Sequence, residues 1–148
     1  MRDRLTRIAR EAGIFALYLA LTILMTWPLA LNPGEAAADP VDPYINTWVV
    51  SWVGRALVSS PASLFDAPMF HPAHNALAFS ENLIGISVLA IPMQLAGVPP
   101  LTVYNVLLLL GFAASGYGAF VLARKVARSG PAAFVGGVFF AFVLFRFN

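Results

Sequence analysis

The sequence predicts an all-α, polytopic transmembrane helical protein with about four spans and interfacial helices in its first external loop. Three observations predict it. Of its 148 residues 59% are hydrophobic and 11% are charged, against about 25% charged in a soluble domain. Long runs carry no charge at all: residues 13–31, 83–98 and 101–123. The polar groups are gathered instead into residues 32–81, which hold five of the seven acids (Glu35, Asp39, Asp42, Asp66 and Glu81) and both histidines, His71 and His74. A net charge of +2, placed in short blocks beside apolar segments, suits membrane orientation and gives no sign of nucleic-acid binding. With no cysteine, disulfides, thiolate metal sites and a cysteine nucleophile are excluded.

Residues 1–12 form a cytoplasmic tail with Arg2, Arg4, Arg7 and Arg10. The first span follows at 13–31. Its 19 residues are enough to cross a hydrocarbon core of about 30 Å at about 1.5 Å per residue. Trp27 and Pro28 suit the interface at its end. A signal peptide competes, since Ala36, Ala37 and Ala38 resemble a cleavage site, but the apolar run exceeds the usual h-region.

Residues 32–81 are expected outside. Asn32, Pro33 and Gly34, then Asp39-Pro40 and Asp42-Pro43, are turn chemistry. Pro43 suits the first turn of a helix capped by Asp42. That helix is expected over 44–59, with Ile45, Trp48, Val49, Trp52, Val53, Ala56 and Leu57 on one face and Asn46, Thr47, Ser51 and Arg55 on the other. It reads as a helix lying on the membrane surface, with a short span as the alternative. Residues 61–80 form an irregular connection mixing Phe65, Phe70 and Phe79 with polar groups. The second span is expected at 83–98, interrupted by Pro92; Pro99 and Pro100 make a turn. The third lies at 101–123 and the fourth at 131–147.

Small residues recur four apart in the last two spans: Gly111 with Ser115, Ala114 with Gly118, and Ala133, Gly137 and Ala141. Such positions let helices approach closely in lipid. One conflict arises. Three spans from an inside amino terminus put Arg124, Lys125 and Arg128 outside, where the positive-inside rule disfavours them. It disappears if 44–59 spans or 83–98 is re-entrant. The chain closes on Phe145, Arg146, Phe147 and Asn148 straight after an apolar segment, the pattern expected of the amino-terminal part of a longer chain.

Candidate chemistry lies in the external loop. Asp39 and Asp42 could serve as a general base for a hydroxyl or hold a divalent cation against a diphosphate; turn formation and capping are the plain alternative. His71 and His74 could bind a metal or phosphate, Glu81 could line a pocket beside them or favour a helix amino terminus, and Arg55 could meet a lipid phosphate or an acid. No nucleophile elbow, phosphate loop or HExxH zinc motif is present.

Four stretches carry a resemblance: Asp42-Pro43-Tyr44-Ile45-Asn46-Thr47-Trp48; Leu64 to Pro72 with Asp66 and His71; Ser80-Glu81 followed by Ile91-Pro92; and Gly116 to Arg124 followed by a small-residue span. Together they resemble the amino-terminal module of the GT-C superfamily of membrane glycosyltransferases. The resemblance implies transfer of a sugar from a polyprenyl-phosphate donor on the extracytoplasmic face of a bacterial cytoplasmic membrane. It implies a catalytic base or metal-site residue at Asp42 or Asp39, with Asp42 preferred because it directly precedes the surface helix. His71, His74, Glu81 and Arg55 are the accompanying substrate-binding candidates, and a divalent cation is a possible cofactor. Membrane lipids and the remaining helices of a longer chain are the other expected partners. The alternative is a non-catalytic membrane protein, a transporter segment or an assembly factor. The nearly bare span interiors, with Gln94, Thr102 and Asn105 as main exceptions, weigh against a transport path.

Overall fold

The computed structural model describes residues 2–143, and the closing part of the expected fourth span, 144–147, lies outside the described residues. The architecture is all-α. Among the described residues there are five α-helices and three short 3-10 turns, and no strand. The helices are α1 (Arg2–Met25), α2 (Asp42–Ser59), α3 (Ile84–Leu95), α4 (Pro100–Ala127) and α5 (Gly130–Ala141). Two, α1 and α4, are long and apolar enough to cross a membrane. At about 1.5 Å per residue, the 12 residues of α3 extend only about 18 Å, well short of a hydrocarbon core of about 30 Å.

Several boundaries differ from the sequence expectation. The basic tail is not separate from the first apolar stretch: Arg4, Arg7 and Arg10 lie in α1, which ends at Met25 rather than at residue 31. A short turn, Leu29–Leu31, follows. Pro92 sits inside α3 without ending it, and the reversal between α3 and α4 is made by Gly97, at φ 76°, where the absence of a Cβ is useful.

The chain divides into two compact units. The first comprises residues 1–30 and 108–148. In it α1 and α4 run antiparallel: Glu11 meets Arg124 at one end, while Tyr18 meets Gly116 further along. Tyr18 is fully buried, stacks near Phe134 (4.9 Å between centroids) and donates its hydroxyl hydrogen bond to the Phe134 carbonyl at 2.8 Å. It thereby ties α5 to α1. The buried residues of α5 are Ala133, Gly137 and Ala141, the small-residue run noted above. On α4 the close approach is made by Gly116. Gly111 and Gly118 have open space where a Cβ would stand, so the pairs Gly111–Ser115 and Ala114–Gly118 do not mark the approach.

The second unit comprises residues 31–107. Its core joins Val49, Val53 and Ala56 of α2 with Leu64, Ala67 and Leu77 of the connection that follows. A second cluster joins Val50, Ala90, Val103 and Leu107. The expected apolar face of α2 is therefore split. Val49, Val53 and Ala56 face the core, while Ile45 and Trp48 stay exposed. Three polar side chains fix the unit through backbone carbonyls, which need partners when shielded from water. Trp52 Nε1 donates to Leu64 O at 2.9 Å. Gln94 Nε2 donates to Val50 O at 3.1 Å, joining α3 to α2. The buried Asn105 donates from Nδ2 to Pro33 O and Ala36 O, each at 2.8 Å. Two of the exceptions in otherwise bare apolar helices thus hold the fold.

Candidate functional site

The two aspartates favoured by the sequence stand together at the start of α2, with their roles exchanged. The expected capping by Asp42 is not what the structure has. Val41 precedes the helix, and Asp42 is already its first residue, with Pro43 in the first turn. The cap-like bonds come from Asp39, whose Oδ1 accepts from Val41 N at 2.8 Å and Asp42 N at 3.2 Å. The reason is reach: an aspartate side chain readily bonds amides two and three residues on. Holding the amide of residue 42 lets the helix begin one residue earlier. The Asp42 carboxylate, exposed and in the first turn of an 18-residue helix, is left out of the capping. The helix dipole favours its charge there.

The long connection after α2 is organised by Asp66. Its Oδ1 accepts from Asn75 N at 2.8 Å and lies 3.8 Å from His74 Nδ1. Leu77 N donates to Phe65 O, closing the same loop. His71 and His74 are both exposed, and no hydrogen bond or ion pair joins the two imidazoles. Glu81 is exposed and lies outside α3, which begins at Ile84. It does not occupy that helix's first turn as expected. The nearby side chain that reaches the helix start is Asn82, whose Oδ1 lies 3.4 Å from Ile84 N. No hydrogen bond or ion pair among the described residues links Asp42, His71, Glu81 and Arg55 to one another. Nor do three histidine or carboxylate groups converge among them in a way that could hold a metal ion.

Arg55 is exposed, on the far part of α2 from Asp42. It borders a groove of about 290 Å³ between α2 and α3, together with Ser51, Gly54, Val58, Gln94 and Leu95. Gln94 approaches α2 through Gly54, where a Cβ would stand 2.8 Å from its Cδ. This groove combines one cation with an apolar wall.

The first unit holds a polar cluster that sequence reading passed over. Glu11 lies just before the uncharged stretch of α1. Its Oε1 accepts from Arg124 at 2.9 Å and from Arg10 at 3.2 Å, and its Oε2 accepts from the Tyr117 hydroxyl at 3.0 Å. Arg124 in turn lies over the Phe120 ring at 4.8 Å, a cation–π geometry. An acid at the junction of the basic tail and the uncharged stretch was the available signal. Two of its partners, Tyr117 and Arg124, lie more than a hundred residues away, so spacing alone did not reveal them.

The fold and these sites define a class: an all-helical protein, with two helices long and apolar enough to cross a membrane and an acid-bearing segment between them. Comparison with family models, with curated proteins and with solved structures finds no match for this chain.

Proposed function

We propose that the chain is a two-span membrane module that presents residues 32–99 on the extracytoplasmic face. There it serves sugar transfer from a polyprenyl-phosphate donor, with Asp42 as the base for the acceptor hydroxyl. The topology rests on the pairing of Glu11 with Arg124. That pair puts the arginines of α1 and the Arg124–Lys125 end of α4 at the same end of the first unit. With α1 crossing outward and α4 returning, both basic blocks are cytoplasmic, as the positive-inside rule prefers. The short α3 then makes no crossing, which gives residues 2–127 two spans where the sequence reading expects three.

The observation that carries the catalytic reading is the division of labour at the start of α2. Asp39 is engaged with backbone amides, whereas the exposed Asp42 carboxylate is left out of that turn. A base must come within about 2.6–3.2 Å of the hydroxyl it serves, directly or through one water, and an exposed carboxylate at a helix start can do so.

The test is Asp42→Asn, assayed for transfer from a polyprenyl-phosphate sugar in membranes, with protein level matched by immunoblot. Amide replacement leaves the Asp39 turn in place but removes the base. Transfer should fall by roughly 10²-fold or more, with membrane abundance unchanged. Undiminished transfer would remove Asp42 from the mechanism.

A further inference from the structure

A second site lies in the first unit. The residues Arg4, Arg7, Ile8, Ala12 and Phe15 of α1, with Tyr117 of α4 and the paired Glu11, line a cavity of about 560 Å³. Positions 4, 7, 8, 11, 12 and 15 follow the three- and four-residue spacing of one helical face, so a single stripe of α1 forms its wall. The stripe is graded. Two guanidinium groups stand at its amino-terminal end, and Ile8, Ala12 and Phe15 continue towards the uncharged stretch.

The charges in and beside this cavity are unequally committed. Glu11 is the acid that lines it, and Glu11 is already bonded to Arg124, Arg10 and Tyr117. Neither Arg4 nor Arg7 forms an ion pair among the described residues. Both are exposed. The cavity therefore offers two positive groups next to an apolar wall at the edge of a helix able to cross a membrane. That combination matches an amphiphile with an anionic head, since basic groups beside a span attract anionic lipid and arginine binds phosphate oxygens.

We propose that this cavity is a binding site for an anionic phospholipid: Arg4 and Arg7 take the head-group phosphate, and Ile8, Ala12 and Phe15 take the first part of the acyl chains. The occupant is a lipid rather than a free phosphate because the apolar half of the wall would otherwise face the ligand without a partner. The site is independent of the sugar-transfer reading.

The test uses the whole chain purified in a neutral detergent. It is titrated with a fluorescent short-chain phosphatidylglycerol and with the matched phosphatidylcholine; inorganic phosphate is the free-anion competitor. Saturable binding of phosphatidylglycerol is expected, with binding of phosphatidylcholine weaker by about tenfold or more, and no displacement by millimolar phosphate. The double substitution Arg4→Gln with Arg7→Gln should weaken binding about tenfold or more, from roughly fivefold per basic group. The charge-matched control Lys125→Gln with Arg128→Gln should change it little. Ala12→Phe, which fills the cavity and keeps every charge, should also weaken it. Equal loss in the control would show diffuse electrostatic attraction and overturn the proposal. Unaltered binding in Ala12→Phe, equal binding of both lipids, or displacement by inorganic phosphate would overturn it as well.

Discussion

Gly137→Ala should destabilise the first unit, while Gly136→Ala, one residue earlier on the same helix, should not. An added Cβ at Gly136 would stand 3.8 Å from the Ala123 Cβ, an ordinary contact. There alanine's higher helix propensity operates unopposed, a gain of about 0.5–1 kcal/mol. At Gly137 the added Cβ would stand 2.6 Å from the Gly116 carbonyl oxygen and would collide with the Tyr18 hydroxyl. Ordinary contact begins at 3.4 Å, so backbone must move by about 0.8 Å. Overpacking of this kind costs about 1–3 kcal/mol, and displacement of Tyr18 from the Phe134 carbonyl adds about 1 kcal/mol. Set against the propensity gain, the net loss is about 1–3 kcal/mol. Unfolding of both variants in mixed micelles of neutral detergent and SDS, followed by far-ultraviolet circular dichroism, measures it. Tyr18→Phe in the Gly137→Ala background removes the hydroxyl collision and leaves those with the Gly116 carbonyl oxygen and Tyr18 Cζ (2.6 and 2.9 Å), so the pair should couple favourably but only in part in a double-mutant cycle. Wild-type stability in Gly137→Ala, or equal losses in the two glycine variants, would refute the packing described for α1, α4 and α5.

Glu11→Gln removes the ion pair with Arg124 and should destabilise the first unit; unchanged unfolding in the same micelles would count against that pairing. Asn105→Ala removes the two hydrogen bonds to Pro33 O and Ala36 O. It should cost about 1–3 kcal/mol for carbonyls left unpartnered and accelerate amide exchange around residues 34–37. For topology, a cysteine at Ala37 should react with an impermeant thiol reagent on intact cells and one at Ser129 should not. The chain has no native cysteine, so labelling at both positions would sink the two-span arrangement.

Composition and periodicity suffice to read an all-helical chain, because apolar runs and turn residues act locally. The start of α2 near residue 42, the connection over 61–80 and the packing face Ala133, Gly137 and Ala141 all follow from residues close together in sequence. So does the polar character of 32–81, which holds every residue proposed for sugar transfer. Helix limits were less legible. The arginines of the tail belong to α1, because straight-chain basic residues are good helix formers and do not end a helix, and Pro92 is tolerated within α3.

Partnerships were decided by tertiary structure. Asp42 and Asp39 are equivalent as turn residues, and only the folded backbone assigns the amides to Asp39 and leaves Asp42 out. Gln94 and Asn105 looked like polar exceptions, and Glu11 drew no notice. Each finds its partner between 44 and 113 residues away, through contacts that a local pattern does not encode. The same holds for the relative placement of the two basic blocks of the first unit. Counting apolar runs put Arg124 opposite the amino terminus, whereas the ion pair to Glu11 brings the two basic ends together. Hydrophobicity determines which segments leave water; the specific hydrogen bonds and close approaches that order those segments exist only once the chain has folded.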